Sequence, residues 1–249
     1  MKHLAILLST FLFLTACGGP SATEGSALSY KVDGGTYEGY FISAGTSAPL
    51  VLLIHDWDGV TDYEIKRASM LAAEGYSVFC ADLFGQGVRP AEIDEKKKLT
   101  GALYADRPRM RALMEGALKA AASQGADTSN AVVMGYCFGG ACALELARMG
   151  SPLKGFVSFH GGLATPEGQD YKNVKGPVLV LHGSADANIP LTEFATLGQQ
   201  LEAAHVPHEM ITYSGAPHAF TVFGSDRYRE GADAKSWARF LEFLREWTR

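Results

Sequence analysis

No basic field marks this sequence. Its 22 Lys and Arg stand against 27 Asp and Glu, a formal charge of −5 with a pI near 5.8. The phosphate attraction on which nucleic-acid binding rests is therefore missing, and no nucleic-acid partner is expected. Bilayer-spanning runs are absent too: a transmembrane helix needs about 20 apolar residues, whereas the run Leu4 to Leu14 is short and broken by Ser9 and Thr10. There is no internal repeat and no low-complexity tract. Metal-ligand clusters are lacking as well. His205 and His208 have zinc-like spacing, but they flank Val206-Pro207 with no Cys or acidic companion, the pattern of a surface loop. What remains is ordinary globular composition, 47% hydrophobic and 20% charged over 249 residues, enough for one domain with one large core.

The N-terminus is laid out for export. Met1-Lys2-His3 gives a short basic start, the apolar run follows, and small residues lead to Cys17. Leu14-Thr15-Ala16-Cys17 resembles the bacterial lipobox, the alternative being a plain signal peptide with a chance cysteine at its end. The resemblance implies that residues 1–16 are a lipoprotein signal peptide and that Cys17 is diacylated. Several acyl chains on one residue anchor stably, where a single chain does not. Loss of residues 1–16 takes away Lys2, so 21 cationic side chains then face 27 acidic ones and the charge is −6. Gly18 after the cysteine points to the outer membrane, facing the periplasm. Residues 17–29, small and polar, read as a flexible tether to a single domain over 30–249. Three cysteines remain in that domain, Cys80, Cys137 and Cys142. The odd number leaves a Cys80–Cys142 disulfide open and at least one thiol unpaired.

Apolar runs and helical stretches alternate through the domain. A hairpin at Tyr30 to Ile42 is expected to turn at Gly34-Gly35. Strands are expected at Leu50 to Ile54, Tyr76 to Leu83, Ala131 to Tyr136, Gly155 to Phe159, Pro177 to Leu181 and Glu209 to Tyr213. Helices are expected at Asp62 to Glu74 (through Ile65, Ser69, Ala72 and Ala73), Pro108 to Gln124, Gly139 to Met149, Leu191 to Ala204 and Arg229 to Trp247. In the last helix, Trp237, Phe240, Phe243 and Leu244 recur at core spacing. Pro90 to Tyr104, with Lys96-Lys97-Lys98 beside acids, reads as a solvated, partly helical insertion. The pattern predicts an α/β fold: a mostly parallel sheet with helices on both faces.

One motif carries chemistry. Gly135-Tyr136-Cys137-Phe138-Gly139-Gly140 lies between an apolar strand and a helix, the form of a nucleophile elbow with Cys for Ser. The tight turn strains the nucleophile's backbone, and Gly135 and Gly139 remove Cβ atoms expected to collide across it. The thiol then sits over a helix N-terminus, whose N–H groups and partial positive charge favour a thiolate. The elbow demands an acid and then a histidine, in that order. Asp186 follows the strand ending at Leu181, and His218 follows the strand ending at Tyr213. His218 is read as general base and acid, oriented by Asp186. The loop after the first long strand, His55-Asp56-Trp57-Asp58-Gly59, supplies one oxyanion-hole N–H at Trp57, and Phe138 supplies the other. His160 and His182 end strands nearby and either line the site or serve structure.

These motifs, with Gly183-Ser184-Ala185-Asp186, Pro217-His218-Ala219-Phe220 and Ala81 to Pro90, together resemble the dienelactone hydrolase family over residues 30 to 249. The resemblance implies an α/β-hydrolase fold with a sheet of about eight strands. It implies a Cys137–Asp186–His218 triad and hydrolysis through an acyl-thiol, with neither metal nor cofactor. Asp56 stands where the family has a Glu touching the nucleophile, so it either modulates Cys137 or caps the following turn. Two family arginines that hold a substrate carboxylate are replaced here by Gln86 and Val222, with Arg89 near the first. A neutral small ester or lactone is therefore the expected substrate. Phe84, Gln86, Arg89 and Phe220, with Trp57, are the expected pocket residues.

The sequence thus predicts a monomeric, lipid-anchored hydrolase of small carboxylic esters or lactones. A thioesterase or acyltransferase sharing the acyl-thiol, and a non-catalytic envelope binding lipoprotein, are the alternatives. Cys17→Ser is expected to move the chain from the detergent phase to the aqueous phase on phase partitioning; unchanged partitioning contradicts lipidation at Cys17.

Overall fold

The computed structural model describes residues 24–248, so the expected signal peptide, Cys17 and the first part of the expected tether lie outside the described residues. The described chain runs β1 (Ser26–Val32), β2 (Gly35–Ile42), β3 (Pro49–Ile54), α1 (Asp62–Ala73), β4 (Ser77–Ala81), α2 (Ile93–Ala105), α3 (Arg107–Ser123), β5 (Asp127–Tyr136), α4 (Phe138–Arg148), β6 (Gly155–Phe159), β7 (Val178–Gly183), α5 (Leu191–Ala203), β8 (His208–Tyr213) and α6 (Glu230–Trp247). The strands form one eight-stranded sheet in the order β1-β2-β4-β3-β5-β6-β7-β8. β1 and β2 are antiparallel and β2 meets β4 antiparallel; all pairs from β4 to β8 are parallel.

The alternation of strand residues divides the core in two. Leu50, Leu52 and Ile54 face one side, where α3, α4 and α5 cover them; Val51 and Leu53 face the other, under α1 and α6. All five are fully buried, as a strand covered on both faces requires. Because β4 and β5 lie on opposite sides of β3, the chain crosses over in both directions there. A crevice opens at the carboxyl ends of the strands at such a point.

Several boundaries differ from the sequence reading. β1 begins at Ser26, four residues inside the expected tether. Val32 pairs with Gly35, so the turn residues are Asp33 (φ 47°) and Gly34 (φ 81°), not Gly34-Gly35. An Asp-Gly turn with both φ positive matches the twist of a hairpin. Pro90 to Tyr104 contains a full helix, α2, with only Leu103 buried. Helix α1 buries Glu64, Arg67, Ala68 and Leu71 rather than the face of Ser69, which is exposed. Cys80 and Cys142 are both buried free thiols.

Arg67 explains the turn of α1. Its guanidinium is fully buried and pairs with Asp233 of α6 at 2.5 Å, while Nη2 also donates to the Thr221 carbonyl at 2.8 Å. It stacks on Phe223 and Trp237, with centroid distances of 4.1 and 5.0 Å. Removing one partner of such a pair strands the other charge in low dielectric at a cost of about 3–5 kcal/mol. Asp233→Ala is accordingly expected to lower the Tm by on the order of 10 °C; a change of under 2 °C by calorimetry contradicts the pair's role as a tie between α1, α6 and the loop at Thr221.

Candidate active site

The residues singled out from the sequence lie at the carboxyl ends of successive parallel strands. Cys137 sits between β5 and α4 with φ 51° and ψ −110°, outside the regions L-residues prefer. Two close approaches require glycine here. A Cβ on Gly135 would lie 2.2 Å from the Gly139 carbonyl carbon, and one on Gly139 would lie 2.2 Å from the Ile54 carbonyl oxygen. The obstacle to a side chain at Gly139 is thus β3, not Gly135 as expected. Cys137 is tied to the sheet by its N–H, which donates to the Phe159 carbonyl at 3.0 Å.

Asp186 and His218 meet Cys137. His218 Nδ1 lies 2.8 Å from Asp186 Oδ2, and His218 Nε2 lies 3.2 Å from Cys137 Sγ. Asp186 Oδ1 accepts the N–H groups of Asn188 (2.9 Å) and Ile189 (3.0 Å), so the carboxylate is held from both oxygens. Burial acts to raise the Asp186 carboxyl, but its hydrogen bonds from His218 and these N–H groups hold it below the ordinary range. Burial likewise acts to lower His218, yet the hydrogen bonds to Asp186 and Cys137 outweigh it and push the imidazole up to about 10.

The loop after β3 is fixed by His55, whose ring is fully buried. Its Nδ1 lies 2.5 Å from the Asp56 carbonyl and its Nε2 accepts the Leu83 N–H at 3.1 Å. Burial lowers the His55 pKa to about 4, so the neutral ring serves as a strut between the loops after β3 and β4. Asp56 Oδ1 accepts the Asp58 N–H at 2.8 Å, the turn-capping alternative, and no hydrogen bond joins Asp56 to Cys137 among the described residues. Burial, and then repulsion from Asp58, raises Asp56 to about 6. The N–H groups of Trp57 and Phe138 find no acceptor among the described residues, and both residues line the cleft.

That cleft has a volume of about 450 Å³ and holds Cys137 and His218. A larger hollow of about 730 Å³ lies at the opposite end of the sheet, around Pro152, Pro177 and Trp247, away from these groups. Four expected pocket residues do not line the cleft. Phe84 packs behind it on His55 and Phe138, with ring distances of 4.5 and 5.7 Å. Gln86 is exposed and donates to Glu38 at 3.0 Å. Arg89 is held by the Val60 and Val88 carbonyls, and Phe220 is fully buried against His160 and Tyr213. Nearness in sequence placed these residues by the site, but loop direction turns them inward or away. Val222 does line the cleft, with Tyr104, Thr100, Lys97 and Ile93 of α2, and Ile189 and Arg227 opposite.

His160 and His182 are buried outside the cleft wall. His182 Nε2 lies 3.0 Å from the Ile189 carbonyl, securing the loop that carries Asp186. His160 presents its ring edge-on to His218 at 5.4 Å, while its Nε2 meets Thr221 Oγ1 at 2.8 Å. Burial, then the charge of His218, lowers the His160 pKa well below the ordinary range, so a neutral ring backs the cationic one. Its position at the end of β6 was the sequence signal; its contact with His218 was not readable.

Known proteins carry the same organisation. A Salmonella typhimurium protein named, provisionally, as a carboxymethylenebutenolidase is 26% identical over 209 residues, covering 80% of this chain and 77% of that one. A Saccharolobus solfataricus protein with the same provisional name is 26% identical over 256 residues, covering 87% and 96%. Among solved structures, a dienelactone hydrolase-like promiscuous phosphotriesterase from metagenomic libraries superposes with a TM-score of 0.85 at 27% identity, covering 92% of this chain and all of that one. A Klebsiella pneumoniae protein described provisionally as a dienelactone hydrolase gives 0.81 at 25% identity, covering 90% and 99%. The profile of the dienelactone hydrolase family matches residues 38–248, and the chain belongs to that family, with its α/β-hydrolase fold.

Proposed function

We propose that this hydrolase cleaves small carboxylic ester or lactone bonds with Cys137 as nucleophile, His218 as acid and base, and Asp186 as its orienting carboxylate. The observation that carries the reading is the convergence of the three side chains, at 3.2 Å and 2.8 Å, inside one cleft. His218, held between Asp186 at 2.8 Å and Cys137 at 3.2 Å, is placed to exchange a proton with the sulfur and with the leaving group.

In the proposed sequence, Cys137 Sγ adds to the acyl carbon and the carbonyl electrons move onto oxygen. The N–H groups of Trp57 and Phe138 take up that oxyanion; such donors work at about 3 Å, and each contributes roughly 10²–10³ in turnover. The C–O bond to the leaving group then breaks, and His218 passes its proton to the departing alkoxide. From a lactone, the freed hydroxyl stays attached to the acyl group. Neutral His218 next takes a proton from water, the hydroxide adds to the acyl-thiol, and Cys137 departs as thiolate with the carboxylic acid released. The walls given by Val222 and Ile189, in place of a guanidinium at position 222, support a neutral ester or lactone. On the same reading, the export signal places the enzyme in the cell envelope on a lipid anchor at Cys17. A phosphotriester belongs in the same substrate panel, given the description of the metagenomic relative.

Cys137→Ala is expected to reduce hydrolysis of a 4-nitrophenyl ester by at least about 10³-fold with unchanged circular dichroism; activity within about tenfold of the parent contradicts the reading. The paired His218 also predicts a pH signature. Its pKa is raised on folding, so its stabilisation is complete below about pH 6.5 and is lost as pH rises through about 10. The Tm difference between the parent and His218→Gln should shrink over that window; a constant difference argues against an imidazolium held by Asp186 and Cys137.

A further inference from the structure

The segment that composition marks as solvated supplies one whole wall of the cleft. Ile93, Lys97, Thr100 and Tyr104 all line it. Their spacing of four, three and four residues puts them on a single stripe of α2. The helix is otherwise lightly committed, since Leu103 is its one buried residue.

Two apolar members of the stripe are left in water: Ile93 is 56% exposed and Tyr104 is 36% exposed. They are two of only four large apolar side chains exposed among the described residues, and both border the cleft holding Cys137. Exposed apolar surface concentrated at a concave site is surface that a ligand covers. Ile189, Ala219 and Val222 line the cleft with them.

The stripe is also held in place. Lys96 reaches Asp58 at 2.5 Å and lies 5.3 Å from the Trp57 ring centre, tying α2 to the loop after β3. At the other end, the Tyr104 ring meets Phe138 edge-on at 5.4 Å. The wall thus starts beside the residue after the nucleophile and runs one helix length outward to Ile93.

We infer that α2 is the specificity wall of the cleft, and that the substrate is an ester with an extended apolar body, a medium-length acyl chain or an aryl group, lying along Tyr104 and Ile93. The inference rests on the proposed ester hydrolysis and deepens it, since acetyl-sized groups leave the outer part of this wall uncovered. Transfer of apolar surface from water makes each added methylene favourable until the wall is filled.

The test is a series of 4-nitrophenyl esters from acetate to octanoate on the full chain. The parent is expected to prefer octanoate in kcat/KM by about 10-fold or more. Ile93→Ser combined with Tyr104→Ala is expected to reduce the octanoate-to-acetate ratio by on the order of 10-fold, Tyr104→Phe to retain most of it, and Lys98→Ala, exposed and off the stripe, to leave it unchanged. A ratio unaltered in the double variant overturns the inference. So does a preference for an anionic hemisuccinate ester that disappears in Lys97→Ala or Arg227→Ala, since the wall then reads charge. Binding of octyl 4-nitrophenyl ether to the Cys137→Ala protein, measured by calorimetry, separates the two readings. If no ester is hydrolysed, the proposed function fails, and the ether alone decides the wall: weaker binding in the double variant supports it, equal binding overturns it.

Discussion

The close approach of α4 to β3 is the constraint on which the site depends. With the Gly139 Cβ position 2.2 Å from the Ile54 carbonyl and the Gly135 Cβ position 2.2 Å from Gly139, two backbone segments touch where side chains ordinarily intervene. Neither can retreat. β3 is buried on both faces, and every residue of α4 from Phe138 to Arg148 is buried. The connection between β5 and α4 must therefore be made in one residue, and Cys137 takes the positive φ that this demands. The sulfur's place over the helix start is set by the middle of the sheet rather than by a loop, which suits a group that must not drift.

The carboxylate of Asp186 and the imidazole of His218 are held differently, by polar ties beneath their loops. Asp186 is fixed by two N–H groups of its own turn, and that turn by His182. The loop carrying His218 continues to Thr221, which is gripped through its carbonyl by Arg67 and through its hydroxyl by Tyr63 (2.7 Å) and His160 (2.8 Å). The ion pair of Arg67 with Asp233 in turn fastens α1 to α6 behind this loop. Packing stability and site geometry meet in these few residues. A buried guanidinium, paired through Nη2 with Asp233 and with the Thr221 carbonyl, holds the loop that carries the imidazole.

Much of this was legible because it is local. A five-residue apolar run, a G-x-C-x-G at a strand-to-helix junction, and Asp and His in post-strand loops in the required order each carry their meaning in adjacent residues. The misses share the opposite character. Arg67 is charged, yet it faces the core because Asp233, 166 residues on, pairs with it; Glu64 turns inward to cap the helix start at Thr61. Gln86, Arg89, Phe84 and Phe220 are close in sequence to site residues, but side-chain direction in a loop is set by tertiary contacts. The α2 wall was hidden by composition: three lysines and neighbouring acids mask the apolar members of its stripe, whose partner surface comes from loops distant in sequence, at Trp57, Phe138, Ile189 and Val222. The hairpin turns one residue earlier than its two adjacent glycines suggest because Asp33 adopts the positive φ and Gly35 already pairs with Val32.

The account turns on a covalent bond to one sulfur. Rapid-quench mass spectrometry during turnover of an ester tests this directly, with the peptide containing Cys137 followed over time. The account predicts an acyl mass increment on that peptide which appears and decays with product release, and no increment when His218 is replaced in a way that prevents attack. Turnover with no acyl group on Cys137 at any time, or an increment on another residue, contradicts it.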